Sequence, residues 1–320
     1  MKDFFMEQTM NKKLIPKNFT NHFSDANCEI SFQWICDYNK PKPTIIILHA
    51  LTGNSTVTGE NGWWKELVGS LKVIDTNKYN LLCIDTLGNG FATNTHENIH
   101  SIKKVTIKDI ALINLWLLNE LELKKDLLII GGSLGGVIAW EMWKEQPSLF
   151  DALFSIAACP FKDDWIKAVT YLQSALLEQK KGYELSRMWS MLFYRNALDI
   201  NNKFKVNTNT VEQWLLYHGK ALKKRFPKKS YKIMNHLLGS IGKTTSKKHY
   251  LKAAQNTHTQ FVIISIVSDW LFHPNYQLEW AKSLKKIGKN VSYHSLDSTH
   301  GHDAFLIEQE KLNNILTPYL

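Results

Sequence analysis

The sequence predicts an α/β fold with a mostly parallel, doubly wound sheet and a helical segment inserted between two of its strands. Short apolar runs recur along the chain, and segments with helical periodicity separate them. This alternation stops after Ala158 and resumes only at Phe261, which indicates the insertion. Strands and helices that alternate in this way are typical of a parallel sheet covered on both faces.

The strands are predicted from two patterns. At residues 28–36, Ile30, Phe32 and Trp34 alternate with polar neighbours, as in a strand with one exposed face. The other strands are nearly continuous apolar runs, which indicate burial on both faces. These runs lie at residues 44–48, 79–84, 127–130, 152–157, 261–267 and 291–296. Helices are predicted over residues 106–123 and 135–145 and at the C-terminus.

The predicted insertion covers residues 161–258, where the apolar spacing is helical throughout. Residues 1–160 and 259–320 would then form one core domain. Open α/β sheets bind ligands at the carboxyl ends of their strands. We therefore expect the insertion to form a helical lid there.

Composition excludes several classes of protein. The net charge of +10 indicates a lysine-rich surface, and the densest basic stretch, residues 220–232, has no nucleic-acid motif. The N-terminal residues lack the apolar segment of a signal peptide, and no apolar run reaches the ~20 residues of a membrane span. The four cysteines lack metal-ligand spacing. We expect a cytoplasmic protein with no metal site, no nucleic-acid partner and no membrane partner.

The strongest motif is a G-x-S-x-G turn centred on Ser133, with a predicted strand before it and a helix after it. The turn is so sharp that side chains two residues on either side of the serine would collide, which explains Gly131 and Gly135. Such a turn presents its serine at the top of the sheet. It predicts the α/β-hydrolase fold with Ser133 as the nucleophile.

A serine nucleophile needs a general base that is oriented by an acid. In this fold the chain order is serine, then aspartate or glutamate, then histidine. Asp269 directly follows the apolar run 261–267 and is the predicted acid. The loop after the last strand contains both His300 and His302, and spacing alone does not distinguish them.

An oxyanion hole requires two backbone N–H groups that face the developing negative charge. One comes from the residue after the nucleophile, which is Leu134. The other comes from the loop after an early strand, and the Leu51 amide is the candidate. These residues predict an acyl-enzyme but leave the acceptor open.

Five stretches together resemble the homoserine O-acetyltransferase family. The loop after the first buried strand and the C-terminal GHDAFL run are far more specific than the serine turn. The stretches are His49-Ala50-Leu51-Thr52-Gly53, Gly62-Trp63-Trp64, Gly131-Gly132-Ser133-Leu134-Gly135-Gly136, Ser268-Asp269-Trp270-Leu271-Phe272 and Gly301-His302-Asp303-Ala304-Phe305-Leu306.

The resemblance implies ping-pong transfer of an acetyl group from acetyl-CoA, as co-substrate, to the hydroxyl of L-homoserine, with no bound cofactor. It implies His302 as the base and Asp269 as the acid. By the same likeness, Arg187 and Tyr194 would hold the α-carboxylate end of the acceptor, and Asp303 would place its amino or hydroxyl group. A homodimer formed through the helical lid is also implied.

The arginines support this assignment independently. The chain has 39 lysines and arginines, yet its only arginines are Arg187, Arg195 and Arg225, all in the predicted insertion. Arginine binds carboxylates through a planar fork that lysine lacks. We interpret Arg187 as functional, and Arg195 and Arg225 as ion-pair partners within the insertion.

Other acceptors and donors remain open. The family often has an arginine near residues 172–174, which are Leu-Gln-Ser here. Serine and homoserine differ by one methylene, which changes binding by only about 1–3 kcal/mol. The alternatives are a serine O-acetyltransferase, a homoserine O-succinyltransferase and a carboxylesterase that uses water. A binding protein with an inactive triad is disfavoured because Ser133, Asp269 and His302 are all present.

Overall fold

An eight-stranded sheet forms the centre of the protein in a computed structural model. The structure describes residues 9–15, 28–35, 42–91, 105–161, 163–205 and 210–320. Residues 1–8, where the sequence lacks a signal-peptide pattern, and Cys36 lie outside the described residues. The fold confirms the predicted α/β class.

The strands of the sheet lie in the order β1-β2-β6-β3-β7-β8-β9-β10. β1 and β2 run antiparallel to their neighbours, and all pairs from β6 to β10 are parallel. The strands are β1 (Thr9–Leu14), β2 (Glu29–Ile35), β3 (Thr44–Leu48), β6 (Asn80–Ile84), β7 (Leu127–Gly132), β8 (Ala152–Ile156), β9 (Gln260–Ile266) and β10 (Val291–Leu296). A separate two-stranded ladder joins β4 (Val68–Gly69) to β5 (Ile74–Asp75).

Helices and loops cover the sheet on both faces, and each face has its own apolar core. The helices of the core are α1 (Ile107–Glu120), α2 (Leu134–Glu145), α9 (Pro274–Lys286), α10 (Ala304–Ile307) and α11 (Gln309–Leu316). Thr106 caps α1 with a reciprocal bond to Asp109, which satisfies two free backbone donors at that end. In the described residues, no helix is both long enough and apolar enough to span a membrane.

Six helices lie between β8 and β9 in the described part of the chain. They are α3 (Asp164–Leu177), α4 (Gly182–Tyr194), α5 (Ala197–Phe204), α6 (Val211–Arg225), α7 (Lys228–Gly239) and α8 (Lys247–Ala254). We call this part of the chain the helical insertion. It begins where β8 ends, at the edge of the sheet where Ser133 follows β7.

The prediction that β2 has one exposed face was wrong. Ser31 and Gln33, the polar residues of the alternating pattern, are buried. Ser31 donates to Asp85 at 2.6 Å, and Gln33 donates to Thr56 at 3.3 Å. The alternation therefore reflects buried polar partners on the second face of the sheet and not contact with water.

Candidate active site

The nucleophile turn places Ser133 between β7 and α2 with an uncommon backbone conformation. Its φ of 56° and ψ of −124° lie in a region that residues with a side chain rarely adopt. Its N–H donates to the Ile156 carbonyl of β8 at 2.9 Å, which fixes the turn to the sheet. The side chain is 4% exposed. Strain of this kind persists only where the surrounding structure enforces it.

Two glycines make the turn sterically possible. A Cβ on Gly131 would overlap the carbonyl oxygen of Gly135, as the sequence led us to expect. A Cβ on Gly135 would instead overlap the carbonyl oxygen of Leu48 in β3. Gly135 is therefore required by the close approach of α2 to the neighbouring strand.

His302 connects the other two residues of the predicted triad. Its Nε2 lies 2.7 Å from Ser133 Oγ, and its Nδ1 lies 2.7 Å from Asp269 Oδ2. The second oxygen of Asp269 accepts the N–H groups of Leu271 and Phe272 at 2.8 and 2.9 Å. These two bonds orient the carboxylate toward the ring. The structure thus brings together the three residues that the sequence singled out.

The electrostatic surroundings of His302 favour its protonated form. Burial lowers its pKa, but the charge and hydrogen bond of Asp269 outweigh that effect, and Asp303 adds to them. The net result is a pKa raised above the ordinary histidine value. The ring stacks on Phe272 and meets the edge of Phe305. A ring held in this way can accept the serine proton and retain it while the carboxylate stabilises the positive charge.

His300 faces a different set of partners. Its Nδ1 lies 2.7 Å from Asp199 of α5, and its Nε2 lies 3.9 Å from Glu308. The geometry therefore separates the two histidines that spacing could not distinguish.

Ser268 joins the loop of the acid to the loop of the base, and sequence reasoning missed it. Its hydroxyl donates to the Ser298 carbonyl at 2.6 Å and accepts the Gly301 N–H at 3.0 Å. Gly301 has a φ of 69°, and a Cβ there would overlap the backbone of Arg195 and Asn196. The signals in the sequence were the position of Ser268 beside Asp269 and its place in one of the five stretches that resemble the family.

The two candidate oxyanion donors belong to different elements. Leu134 is the first residue of α2, so its N–H has no partner within the helix. Leu51 lies in the turn after β3 that the Gly53 N–H closes on the Ala50 carbonyl at 2.9 Å. Ser133 lies at the N-terminus of α2, and the positive end of the helix dipole there favours a negative charge.

Arg187 and Tyr194, the two predicted carboxylate ligands, form a pair next to the base. The guanidinium of Arg187 lies over the Tyr194 ring at 5.1 Å, and that ring lies 6.0 Å from the His302 ring. Arg187 Nε is buried and makes no hydrogen bond to the described residues, and the buried Tyr194 hydroxyl lies near Ser190. Burial is the main cause that raises the Tyr194 pKa, so the hydroxyl stays protonated and can donate.

Two arginines of the helical insertion contact loops of the core. Arg195 Nε lies 3.3 Å from Asp303 Oδ2, and its Nη1 lies 3.3 Å from Asp199. Arg225 Nη1 donates to the carbonyl of Thr52 at 3.0 Å. The predicted ion pair within the insertion is confirmed for Arg195 by its contact with Asp199, although Arg195 also reaches Asp303 in the core. For Arg225 the prediction was wrong, because its guanidinium contacts Thr52 in a loop of the core.

His218 shows how electropositive this region is. His218 lies on α6, half-buried against Trp214. Burial, followed by the charges of Arg187, Arg195 and Lys203, lowers its pKa to about 4. The imidazole is therefore neutral at pH 7.

The sequence of this chain matches a known protein family. The family described as alpha/beta hydrolase fold matches residues 43–309, which include β3, Ser133, Asp269 and His302. The chain belongs to the α/β-hydrolase fold family. The predicted fold class is thereby confirmed.

Among curated relatives, this α/β-hydrolase-fold chain is similar to homoserine O-acetyltransferases. It is 29% identical to the one from Methanococcus vannielii, over 91% of this chain and 68% of that protein. It is 28% identical to the one from Moorella thermoacetica, over 86% of this chain and 85% of that protein. The predicted resemblance is confirmed, and the chain is an enzyme similar to these acetyltransferases.

A solved structure supports the same fold. The homoserine O-acetyltransferase from Staphylococcus aureus superposes with a TM-score of 0.83 at 22% identity, covering 98% of this chain and 95% of that one. At this level of identity the likeness shows the fold alone.

Proposed function

We propose that this enzyme transfers an acetyl group from acetyl-CoA to the side-chain hydroxyl of L-homoserine through an acyl-Ser133 intermediate. A triad alone would suit any acyl transfer. The observation that favours an amino-acid acceptor is the buried Arg187 Nε, which has no partner in the described residues and lies beside the Tyr194 ring next to His302. Buried donors of this kind are costly unless a ligand satisfies them.

The first half-reaction forms the acyl-enzyme. Ser133 Oγ attacks the thioester carbonyl carbon while His302 Nε2 accepts the hydroxyl proton over their 2.7 Å contact. The N–H groups of Leu51 and Leu134 stabilise the oxyanion of the tetrahedral intermediate. When this collapses, the C–S bond breaks and His302 returns the proton to the departing sulfur of coenzyme A.

The second half-reaction repeats these steps with the acceptor. His302 removes the proton of the homoserine hydroxyl, whose oxygen attacks the acyl carbon. The same two N–H groups stabilise the second oxyanion, and collapse releases O-acetylhomoserine while Ser133 regains its proton. Arg187 would bind the α-carboxylate in a fork, and Asp303, held by Arg195 at 3.3 Å, would face the amino group.

Homodimerisation through the helical insertion belongs to the same proposal. Large apolar side chains on α3, α4 and α6 are exposed, and a second copy of the chain could cover them. They are Trp165, Tyr171, Leu172, Leu185, Leu192, Leu216 and Tyr217. Sedimentation should give twice the chain mass of 37.0 kDa. A mass of one chain at micromolar concentration would contradict the dimer and leave the chemistry untouched.

The deciding experiment offers acetyl-CoA and succinyl-CoA separately to homoserine, to serine and to water alone. We expect O-acetylhomoserine as the main product, with slow acetate release when no acceptor is added. A serine or succinyl preference would select one of the related transferases. Acetate release that is fast and independent of any amino acid would make the enzyme an esterase, and the acceptor assignment would be wrong.

A further inference from the structure

The peptide bond between Ala50 and Leu51 is held in place by contacts to its carbonyl oxygen. The Ala50 carbonyl oxygen accepts the Gly53 N–H at 2.9 Å and lies 2.7 Å from His49 Nδ1. In a trans peptide the C=O and N–H point in opposite directions. Two donors on the Ala50 oxygen therefore direct the Leu51 N–H to the opposite side, away from the loop interior.

The partners of His49 determine which ring nitrogen carries the proton. Its Nε2 lies 2.9 Å from the backbone nitrogen of Thr86, which can only donate, so Nε2 must accept. In a neutral imidazole the other nitrogen, Nδ1, then carries the proton and donates to Ala50. The ring is 1% exposed, and burial lowers its pKa against the opposing effects of Asp85 and the Ala50 carbonyl. His49 therefore stays neutral with a single tautomer.

Asn89 supports the same tautomer from a second direction. Its side-chain oxygen accepts the Phe91 N–H at 3.1 Å, which fixes the orientation of the amide. Its nitrogen then faces His49 Nε2 at 3.2 Å and Asp85 Oδ1 at 3.0 Å. Both acceptors are buried, and Asp85 also accepts the Ser55 N–H at 2.8 Å. Two donors therefore face Nε2 of His49 and fix it as a hydrogen-bond acceptor.

We infer that His49 is a positioning residue for the oxyanion hole: it donates from Nδ1 to the Ala50 carbonyl and so aims the Leu51 N–H at the oxyanion. This inference rests on the proposed acyl transfer at Ser133. Both half-reactions pass through an oxyanion, so His49 affects both. It acts on the transition states and not on the bound substrates, so its loss lowers kcat and leaves KM nearly unchanged.

Two substitutions test the roles of the two ring nitrogens of His49 separately. In asparagine the amide nitrogen is two bonds from Cβ, as Nδ1 is, and so His49→Asn keeps a donor toward Ala50. In glutamine the amide is three bonds from Cβ, as Nε2 is, and so His49→Gln can accept from Thr86 but loses the donor toward Ala50. Both variants remove the ring, so each serves as the control for the other.

The test measures the burst of p-nitrophenol from p-nitrophenyl acetate, which reports formation of acyl-Ser133, and then transfer to homoserine. We expect His49→Asn to stay within about threefold of wild type. His49→Gln should slow both steps about ten- to a hundredfold, since loss of a whole oxyanion donor costs 10²–10³. Equal rates in two folded variants, or a loss confined to KM, would overturn the inference.

A spectroscopic measurement on the wild-type protein keeps the inference testable if a variant does not fold. Nitrogen NMR with labelled histidine should show one buried imidazole that is protonated at Nδ1 at neutral pH and whose pKa lies below the ordinary histidine value. A proton on Nε2 would contradict the assignment. If wild-type Ser133 is never acylated, the proposed function is wrong, which is a different result from unequal His49 variants.

Discussion

His300 and His302 lie two positions apart in one loop, yet their Nδ1 atoms bind different carboxylates. His302 lies 2.7 Å from Asp269, and His300 lies 2.7 Å from Asp199. Asp269 lies three residues after the end of β9, the strand beside β8, whereas Asp199 belongs to the helical insertion. Only His302 also reaches Ser133. The loop therefore places one histidine in the reaction and the other against the insertion.

The two histidines should respond very differently to removal. His302→Ala loses the general base, so turnover should fall on the order of 10⁶-fold, as for loss of a triad member in a comparable enzyme. His300→Ala removes a partly exposed contact worth about 1 kcal/mol, so the loss should stay below about tenfold. Steady-state turnover of both purified variants checks this. The opposite ranking would show that the base was assigned to the wrong histidine.

Ser133 should carry the acyl group. After wild-type enzyme is mixed with acetyl-CoA alone, mass spectrometry should find one acetyl group on the peptide that contains Ser133. Ser133→Ala should remain unlabelled and lose turnover on the order of 10⁶-fold. Cys159 is the control, because burial raises its thiol pKa to about 12 and leaves little thiolate at neutral pH. Acetylation of Cys159 in wild type would contradict the mechanism.

The pH profile of acylation should reflect the raised pKa of His302. The base acts when unprotonated, so the rate should rise with pH and reach half its maximum above 6.5, the ordinary histidine value. Asp269→Asn removes the main stabilising charge, so the midpoint should fall and turnover should drop on the order of 10⁴-fold. Stopped-flow acylation between pH 5 and 9 measures both. A midpoint unchanged by Asp269→Asn would contradict this account.

The same raised pKa makes a prediction for stability. The folded protein holds the His302 proton more tightly than the unfolded chain does. This contribution to the free energy of unfolding is complete below pH 6.5 and is lost as the pH rises through the raised pKa. Denaturant titrations at a series of pH values give the free energy of unfolding as a function of pH. This dependence on pH should differ between wild type and His302→Gln. The same dependence in both proteins would show that the pKa shift is absent.

Arg187 should act on transfer and not on acylation. Arg187→Lys keeps a positive charge but loses the fork that matches a carboxylate. Transfer to homoserine should fall about ten- to a hundredfold, because charge-assisted bonds contribute ~1.5–3 kcal/mol. The single-turnover rate of acylation by acetyl-CoA, which precedes acceptor binding, should change little. If both rates fall together, Arg187 serves the donor or the fold of the insertion, and the acceptor site lies elsewhere.

Arg225 should influence acylation through the loop that it contacts. Its guanidinium donates to the Thr52 carbonyl at 3.0 Å, one residue after Leu51. Arg225→Gln removes this tie between α6 and the loop, so acylation and transfer should both slow by about threefold to tenfold, or up to ~1.4 kcal/mol. The exposed neighbour Lys224 provides a matched control as Lys224→Gln. Equal rates in the two variants would show that the contact is not functional.

Local patterns predicted most elements of the core and two residues of the triad: buried runs such as Thr44–Leu48, the turn at Ser133 and the position of Asp269 after a strand. The choice of His302 over His300 came from the resemblance to a family and not from spacing. α9 was missed, although Pro274 at its first position follows His273, whose side chain caps it. Its buried face is interrupted by Gln277, which hides the apolar period.

Contacts between distant segments could not be predicted. His49 meets Thr86 and Asn89 across 37 and 40 residues, and no pattern in one sequence records which polar groups will share a buried space. Ser31 was interpreted as exposed because alternation reports polarity and not its cause. His49 and Ser268 lie in stretches that resemble the family, but nothing in the sequence indicated that either acts through a neighbouring residue.

The close approach of Gly301 to the backbone of Arg195 and Asn196 limits which segments of such an enzyme can be deleted. Asn196 also donates to the Ser268 carbonyl at 3.3 Å, so the end of α4 braces both loops that carry the acid and the base. Deleting the insertion to obtain a minimal esterase would therefore leave the base without its support. We expect exchange of this segment between relatives to require that the loop around Gly301 is exchanged with it. Together with the loops of the acid and the base, the segment forms a third side of the catalytic site.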